Sequence, residues 1–166
     1  MSLINFFSYN NQRKEGYYMN PNCIFCKIIS GKIPSYTIYE DDVVKAFLDI
    51  SQTTPGHTLV IPKKHVPNIY AYSAKYAGEV FARIPMIARA IKATNPKIKG
   101  LNILNNNGKI ASQSVFHSHF HLIPRYTDHD GFSMHFTNHH DQYDQAKFTK
   151  IRDDIKSHLK QSWLNI

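Results

Sequence analysis

The sequence predicts an α+β domain, and three observations carry the prediction. Short β-branched or apolar runs follow one another with turn residues between them. One long segment repeats apolar residues at spacings of three and four. The connections are mostly short, which favours antiparallel neighbours with the helices on one face. At 166 residues, 42% hydrophobic and 19% charged, the chain is long enough to bury one core without disulfide staples.

Each element has a local reason. Residues 1–19 are expected to form a mobile N-terminal extension, because MSLINFFSYN has an apolar start but no basic n-region, long apolar stretch or small-residue cleavage site. Residues 24–30 (IFCKIIS), ended by Gly31, fit a short helix. Tyr36–Glu40 and Val43–Asp49 read as paired strands around the acidic turn Asp41-Asp42. Thr58–Ile61 (TLVI), between Pro55-Gly56 and Pro62, reads as a buried strand. Tyr76, Val80, Phe81, Ile84, Ile87 and Ile91 predict a long helix over 73–94, with Ser73 as cap, a kink at Pro85 and a stop at Asn95-Pro96. Leu101–Leu104 is the next strand, followed by the turn-rich NNNGK, and Ser114–Ile123 is the last. The polar stretch 127–141 reads as loop. Phe148, Ile151, Ile155 and Leu159 then define a C-terminal amphipathic helix. The expected organisation is thus an extension (1–19), a core (20–126), and a loop with C-terminal helix (127–166) packed on the same domain.

The chemistry concentrates in SQSVFHSHFHLIPR, residues 112–125. On a strand, His117, His119 and His121 would share one face at intervals of about 6.6 Å. Three meanings are open: a metal site, nucleophilic catalysis at phosphorus, or enrichment in a chain with four more histidines between 129 and 140. Neutral imidazole is a competent nucleophile near pH 7, and a neighbouring one can serve a leaving group or phosphate charge. Gln113, Ser114 and the amides of NNNGK are candidate donors to that charge. Cys23 and Cys26 form one CxxC, which points to metal or redox chemistry rather than a structural disulfide; His65 and one triad histidine would complete a Cys₂His₂ zinc set. Two buried thiols without metal are the plain alternative.

The formal charge of +8 admits nucleic acid or phosphorylated small molecules. The basic residues are scattered, with Lys63-Lys64 the longest run, so the pattern argues against nucleic acid. No run approaches the ~20 apolar residues of a membrane span, and the expected location is the cytoplasm.

NNNGKIASQSVFHSHFHLIPR resembles the His-x-His-x-His-φ-φ signature of the histidine triad (HIT) superfamily. CIFCKIISGKIPSYTIYEDDVVKAFLDISQTTPGHTLVIPKKHVPNI resembles the N-terminal half of the same proteins, and together the matches cover about residues 20–125. The resemblance implies a five-stranded antiparallel sheet with a long helix, and a homodimer whose sheets join. It implies a purine nucleotide substrate and hydrolysis or transfer at the α-phosphorus through a covalent nucleotidyl-histidine. By position, His119 would be the nucleophile and His121 would face the phosphate or leaving group. Asn106, Gln113 and Ser114 would contact phosphate, and Asp49 the ribose hydroxyls. Ile24, Phe25, Ile28, Ile33, Leu48 and Ile50 would frame the base. Cys23, Cys26, His65 and His117 match the structural zinc ligands. Ser112 departs from the pattern, standing where many members have Gly. A second class of function, a nucleotide- or partner-binding module with weak or vestigial catalysis, stays open from sequence.

Overall fold

The computed structural model describes residues 19–161 and Leu164; the extension expected over 1–19 lies outside them except for Met19, which packs against the apolar cluster that includes Phe25 and Phe47. Five strands, β1 (Thr37–Glu40), β2 (Val44–Leu48), β3 (Thr58–Pro62), β4 (Gly100–Leu104) and β5 (Phe120–Arg125), form one sheet in the order β1-β2-β3-β5-β4. All four pairings are antiparallel. The β1–β2 turn forms where the acidic pair predicts it, because Asp41 Oδ1 accepts from the amides of Val43 and Val44, both at 2.8 Å.

Side-chain alternation divides the sheet into two apolar faces. Val44, Ala46, Val60, Phe120 and Leu122 point toward Tyr76, Val80, Ile84, Ile87 and Ile91 of the long helical segment. Phe47, Leu59 and Ile61 point the other way and pack with Cys23, Phe25, Cys26 and Ile28 of α1 (Ile24–Ile29). The helices therefore cover both faces rather than the one expected, which is why all five residues of β3 are buried. His121 lies opposite Leu59 in the β3–β5 register, so it faces the α1 side.

Three other expectations change. The helix expected over 73–94 is two helices, α2 (Ala74–Phe81) and α3 (Ile84–Ala93). Ser73 caps the first, its hydroxyl accepting from Tyr76 N at 3.2 Å. Pro85 stands in the first turn of the second, where its missing N–H would otherwise have bonded Phe81 O; Ala82 and Arg83 between the two helices keep right-handed helical dihedrals. The last strand starts at Phe120 rather than Ser114, leaving His117 and His119 outside it. Finally, α4 (Gln145–His158), capped by Asp144, does not bury a face on the domain. All fourteen of its residues are exposed, including Phe148, Ile151 and Ile155.

The loop after β5 reaches back to the turn between β2 and β3. Tyr126 Oη donates to Pro55 O at 2.9 Å. Gly131 (φ +96°) passes so close that a Cβ there would lie 2.9 Å from Thr53 O. No helix among the described residues is long and apolar enough to cross a membrane.

Candidate active site

The segment 113–119 is held by residues 62–69, the end of β3 and the strap that follows it, not by a strand ladder. His117 Nε2 donates to Pro62 O (2.8 Å), Ser118 N to Val66 O (2.6 Å), and Gln113 Nε2 to Pro67 O (2.6 Å). Only the Ser118 bond is of the backbone–backbone kind that a ladder would supply; the other two are side chains meeting carbonyls of the neighbouring segment. Together the three bonds hold His117 outside the β5 ladder, so the three histidines need not share the one face that strict alternation along a strand would impose.

His117 is fully buried and faces the CxxC. Its Nδ1 lies 3.5 Å from Cys23 Sγ, 3.6 Å from Cys26 Sγ and 3.3 Å from His65 Nδ1, with Cys26 Sγ 3.3 Å from His65 Nδ1. A tetrahedral zinc with ordinary Zn–S and Zn–N bonds would set such edges at about 3.3–3.8 Å. Because His117 Nε2 donates to Pro62 O, its Nδ1 presents a lone pair to the cluster, as a ligand must. The thiols share a hydrogen bond that pulls Cys23 down, with His117 adding to the effect, and pushes Cys26 up. The donor set therefore fits a zinc ion.

His119 is 3% exposed. Its Nδ1–H donates to His117 O at 2.8 Å, leaving the Nε2 lone pair free. Phe25 packs in T-shaped contact with both rings, its centroid 5.2 Å from that of His119 and 5.8 Å from that of His117. Burial lowers the His119 pKa below the usual imidazole value, keeping the ring neutral.

His121 has a partner absent from the sequence expectations, His57. Thr53 N donates to His57 Nδ1 (3.4 Å), so the His57 proton sits on Nε2 and points to His121 Nδ1 at 3.0 Å. His121 then carries its own proton on Nε2, as a donor. Burial first, then the neighbouring charges of His119 and His57, lower the His121 pKa to about 4. Burial lowers His57 as well, partly offset by Asp49. Asp49 Oδ2 stands 3.7 Å from His57 Nε2 and 4.0 Å from His121 Nδ1, while Oδ1 accepts from Ser51 N. These three residues are close enough to hold a cation. The Thr53 bond, however, puts the His57 proton on the nitrogen a metal would need, and the trio reads better as a proton-ordered chain.

Gly108 (φ +95°) through Ser112 form a tight loop between β4 and the histidine segment. Ser112 is left-handed at φ 64°, ψ 24°, the conformation glycine adopts most cheaply. Gln113 closes the loop: Oε1 accepts from Gly108 N (2.8 Å), and Nε2 donates to Pro67 O and Val115 O. Both amide hydrogens are thereby committed, so the Gln113 side chain braces this loop and has no N–H left to donate elsewhere. Ser114 is exposed and Asn106 half-buried.

The sequence pattern of the HIT domain matches residues 30–128. The chain belongs to the HIT family. A crystal structure of a HIT family member from Bacillus subtilis superposes with a TM-score of 0.81 at 52% identity, over 85% of this chain and 99% of that one. The adenosine 5'-monophosphoramidase of Schizosaccharomyces pombe is 35% identical over 139 residues, 84% of this chain and 99% of its own. A Zn-bound histidine triad family protein from Mycobacterium smegmatis superposes with a TM-score of 0.63 at 33% identity, over 80% of this chain and 97% of that one.

In this HIT-family chain the structure brings together Cys23, Cys26, His65 and His117, and separately Asp49, His57 and His121. The six apolar residues expected around a base divide. Phe25 and Ile28 are core, Ile33 and Leu48 are partly buried, and Ile24 and Ile50 are exposed at 46% and 89%. His57 was missed because it lies alone in PGHTLV, with no local spacing to mark it. Its one available signal was the second imidazole it faces 64 residues later.

Proposed function

We propose that this HIT protein is a nucleotide hydrolase or transferase acting at the α-phosphorus of a nucleoside phosphoramidate or (di)nucleoside polyphosphate. The observation that carries the reading is the neutral, buried His119, whose Nδ1–H is tied to His117 O while Nε2 keeps its lone pair. His119 Nε2 attacks phosphorus and forms an N–P bond as the leaving group departs with its bonding pair. His121 Nε2–H donates to the leaving group or a non-bridging oxygen. Water then displaces the histidine, its oxygen bonding phosphorus as the N–P bond breaks and one of its protons passing to the departed leaving group or to solvent, which releases the nucleoside monophosphate and restores the lone pair. Asp49 accepts from the ribose hydroxyls; the Asn106 and Ser114 side chains and the amides of the 108–114 loop receive the phosphate. The exposed Ile24 and Ile50, with Leu48 and Ile33, border the base.

Cys23, Cys26, His65 and His117 would hold a zinc ion whose role is structural: it pins His117, whose carbonyl orients the nucleophile. A homodimer is supported by two surfaces, the outer strand β4 with exposed Ile103 and the apolar side of α4.

Adenosine phosphoramidate and a diadenosine polyphosphate, each offered to wild type and His119→Ala, test the reaction. Loss of the nucleophile is expected to lower turnover by several orders of magnitude. Equal turnover by the mutant would remove His119 from the mechanism. Tight nucleotide binding by wild type without turnover would favour a binding module.

A further inference from the structure

His119 sits one residue before β5, outside the ladder that orders the rest of that strand. A side chain holds its carbonyl instead: Asn105 Nδ2 donates to His119 O at 2.9 Å and lies 3.4 Å from Ser118 Oγ. Asn105 directly follows Leu104, the last residue of β4, which pairs with His121. Its amide therefore stands where the next rung of the β4–β5 ladder would be.

Asn107 holds Asn105 in turn. Asn107 Nδ2 donates to Asn105 O (3.0 Å) and Oδ1 (2.8 Å), and Asn107 Oδ1 accepts from Ile69 N at 2.7 Å. An amide side chain can be turned either way round, but both ends of this chain are backbone groups of fixed polarity. The Ile69 N–H can only donate, so Asn107 meets it with oxygen. Asn107 then offers nitrogen to Asn105 Oδ1, and Asn105 offers nitrogen to the His119 carbonyl, which can only accept. The relay is directional throughout, and it joins the 68–72 segment to the backbone of the nucleophile.

We propose that Asn105, oriented by Asn107, is a positioning residue for His119. The ring is tied through Nδ1 to His117 O and the main chain through its own carbonyl to Asn105. Together these two bonds set the line along which Nε2 meets phosphorus. Neither asparagine has to touch the substrate. Releasing the carbonyl lets the His119–Phe120 peptide rotate and the ring lose its aim, which costs rate more than ground-state binding. The proposal rests on His119 being the nucleophile.

Two variants test it. Asn105→Asp keeps the shape and the oxygen that accepts from Asn107 but removes the donor to His119 O. Asn107→Asp keeps the acceptor for Ile69 N and removes the donor to Asn105. Steady-state kinetics on adenosine phosphoramidate are expected to show kcat about tenfold or more lower for Asn105→Asp, with KM within about twofold of wild type. Asn107→Asp should move kcat in the same direction by less. Zinc content and thermal midpoint, measured on the same preparations, should stay near wild type. An unchanged kcat overturns the proposal, and so does a loss that only tracks a fall in midpoint and zinc content, which would make Asn105 a purely structural bond. If wild type turned over no phosphoramidate or polyphosphate, the functional reading would fail. The relay would then be read from the ¹⁵N resonances of the His119 ring. Asn105→Asp shifts them if the relay holds the ring, and leaves them in place if it does not.

Discussion

His57 offers the sharpest test of how the site is ordered. The side chain is buried, and its single proton is directed by Thr53 N toward His121 Nδ1, 3.0 Å away. Substituting His57→Leu leaves His121 Nδ1 facing an apolar group. The ring then holds its reactive tautomer, with the proton on Nε2, only by leaving a buried acceptor unsatisfied. Such a group costs about 1–3 kcal/mol, and about 1.4 kcal/mol is tenfold in rate, so kcat is expected to fall roughly ten- to a hundredfold. His57→Gln restores an N–H near the position of Nε2 and should recover most of the loss. Steady-state assays with a fluorogenic adenosine phosphoramidate measure both, with thermal midpoints run alongside to separate misfolding. A leucine variant within twofold of wild type, or a glutamine variant no better than leucine, would refute the argument that His57 sets the His121 tautomer.

Three further outcomes are expected. Metal analysis should find about one zinc per chain, absent from Cys26→Ser, and chelation should lower the thermal midpoint; a metal-free protein of unchanged midpoint would contradict a structural ion. His57, His119 and His121 are all depressed below the ordinary imidazole value of 6.5, His121 to about 4. The unfolded chain therefore binds protons that the fold does not, and stability present above pH 6.5 is lost as pH falls toward 4. Urea midpoints at pH 7 and pH 5 check this, with a shallower decline expected for His121→Gln and equal slopes counting against it. Ser112→Gly relieves a left-handed serine at φ 64° and should stabilise the protein by about 1 kcal/mol, whereas Ser112→Val should destabilise it. No rise in midpoint for the glycine variant would show that the Ser112 side chain supplies a compensating bond.

Much of the fold was legible because local patterns and the sheet agree. TLVI between two prolines is β3, NNNGK is the turn after β4, and the apolar spacing of 73–94 does face the core, although Pro85 divides it. The grouping of Cys23, Cys26 and His65 with one triad histidine was expected from the CxxC and PKKH, and the fold brings His117 to them. The extent of the histidine strand was not legible. Alternation assigns three imidazoles to one face only if a ladder exists, and residues 113–119 bond to residues 62–69 instead.

By itself the sequence determined an α+β chain with antiparallel strands, and it marked a CxxC and three closely spaced histidines as candidates for metal or phosphorus chemistry, because spacing and residue type are local properties. The tertiary structure decided what each histidine faces. Which nitrogen of an imidazole carries the proton depends on the group it faces: Pro62 for His117, the His117 carbonyl for His119, and His57 for His121. Two of these three partners lie more than fifty residues away in the chain, where no spacing rule reaches, and only folding brings them within hydrogen-bond distance.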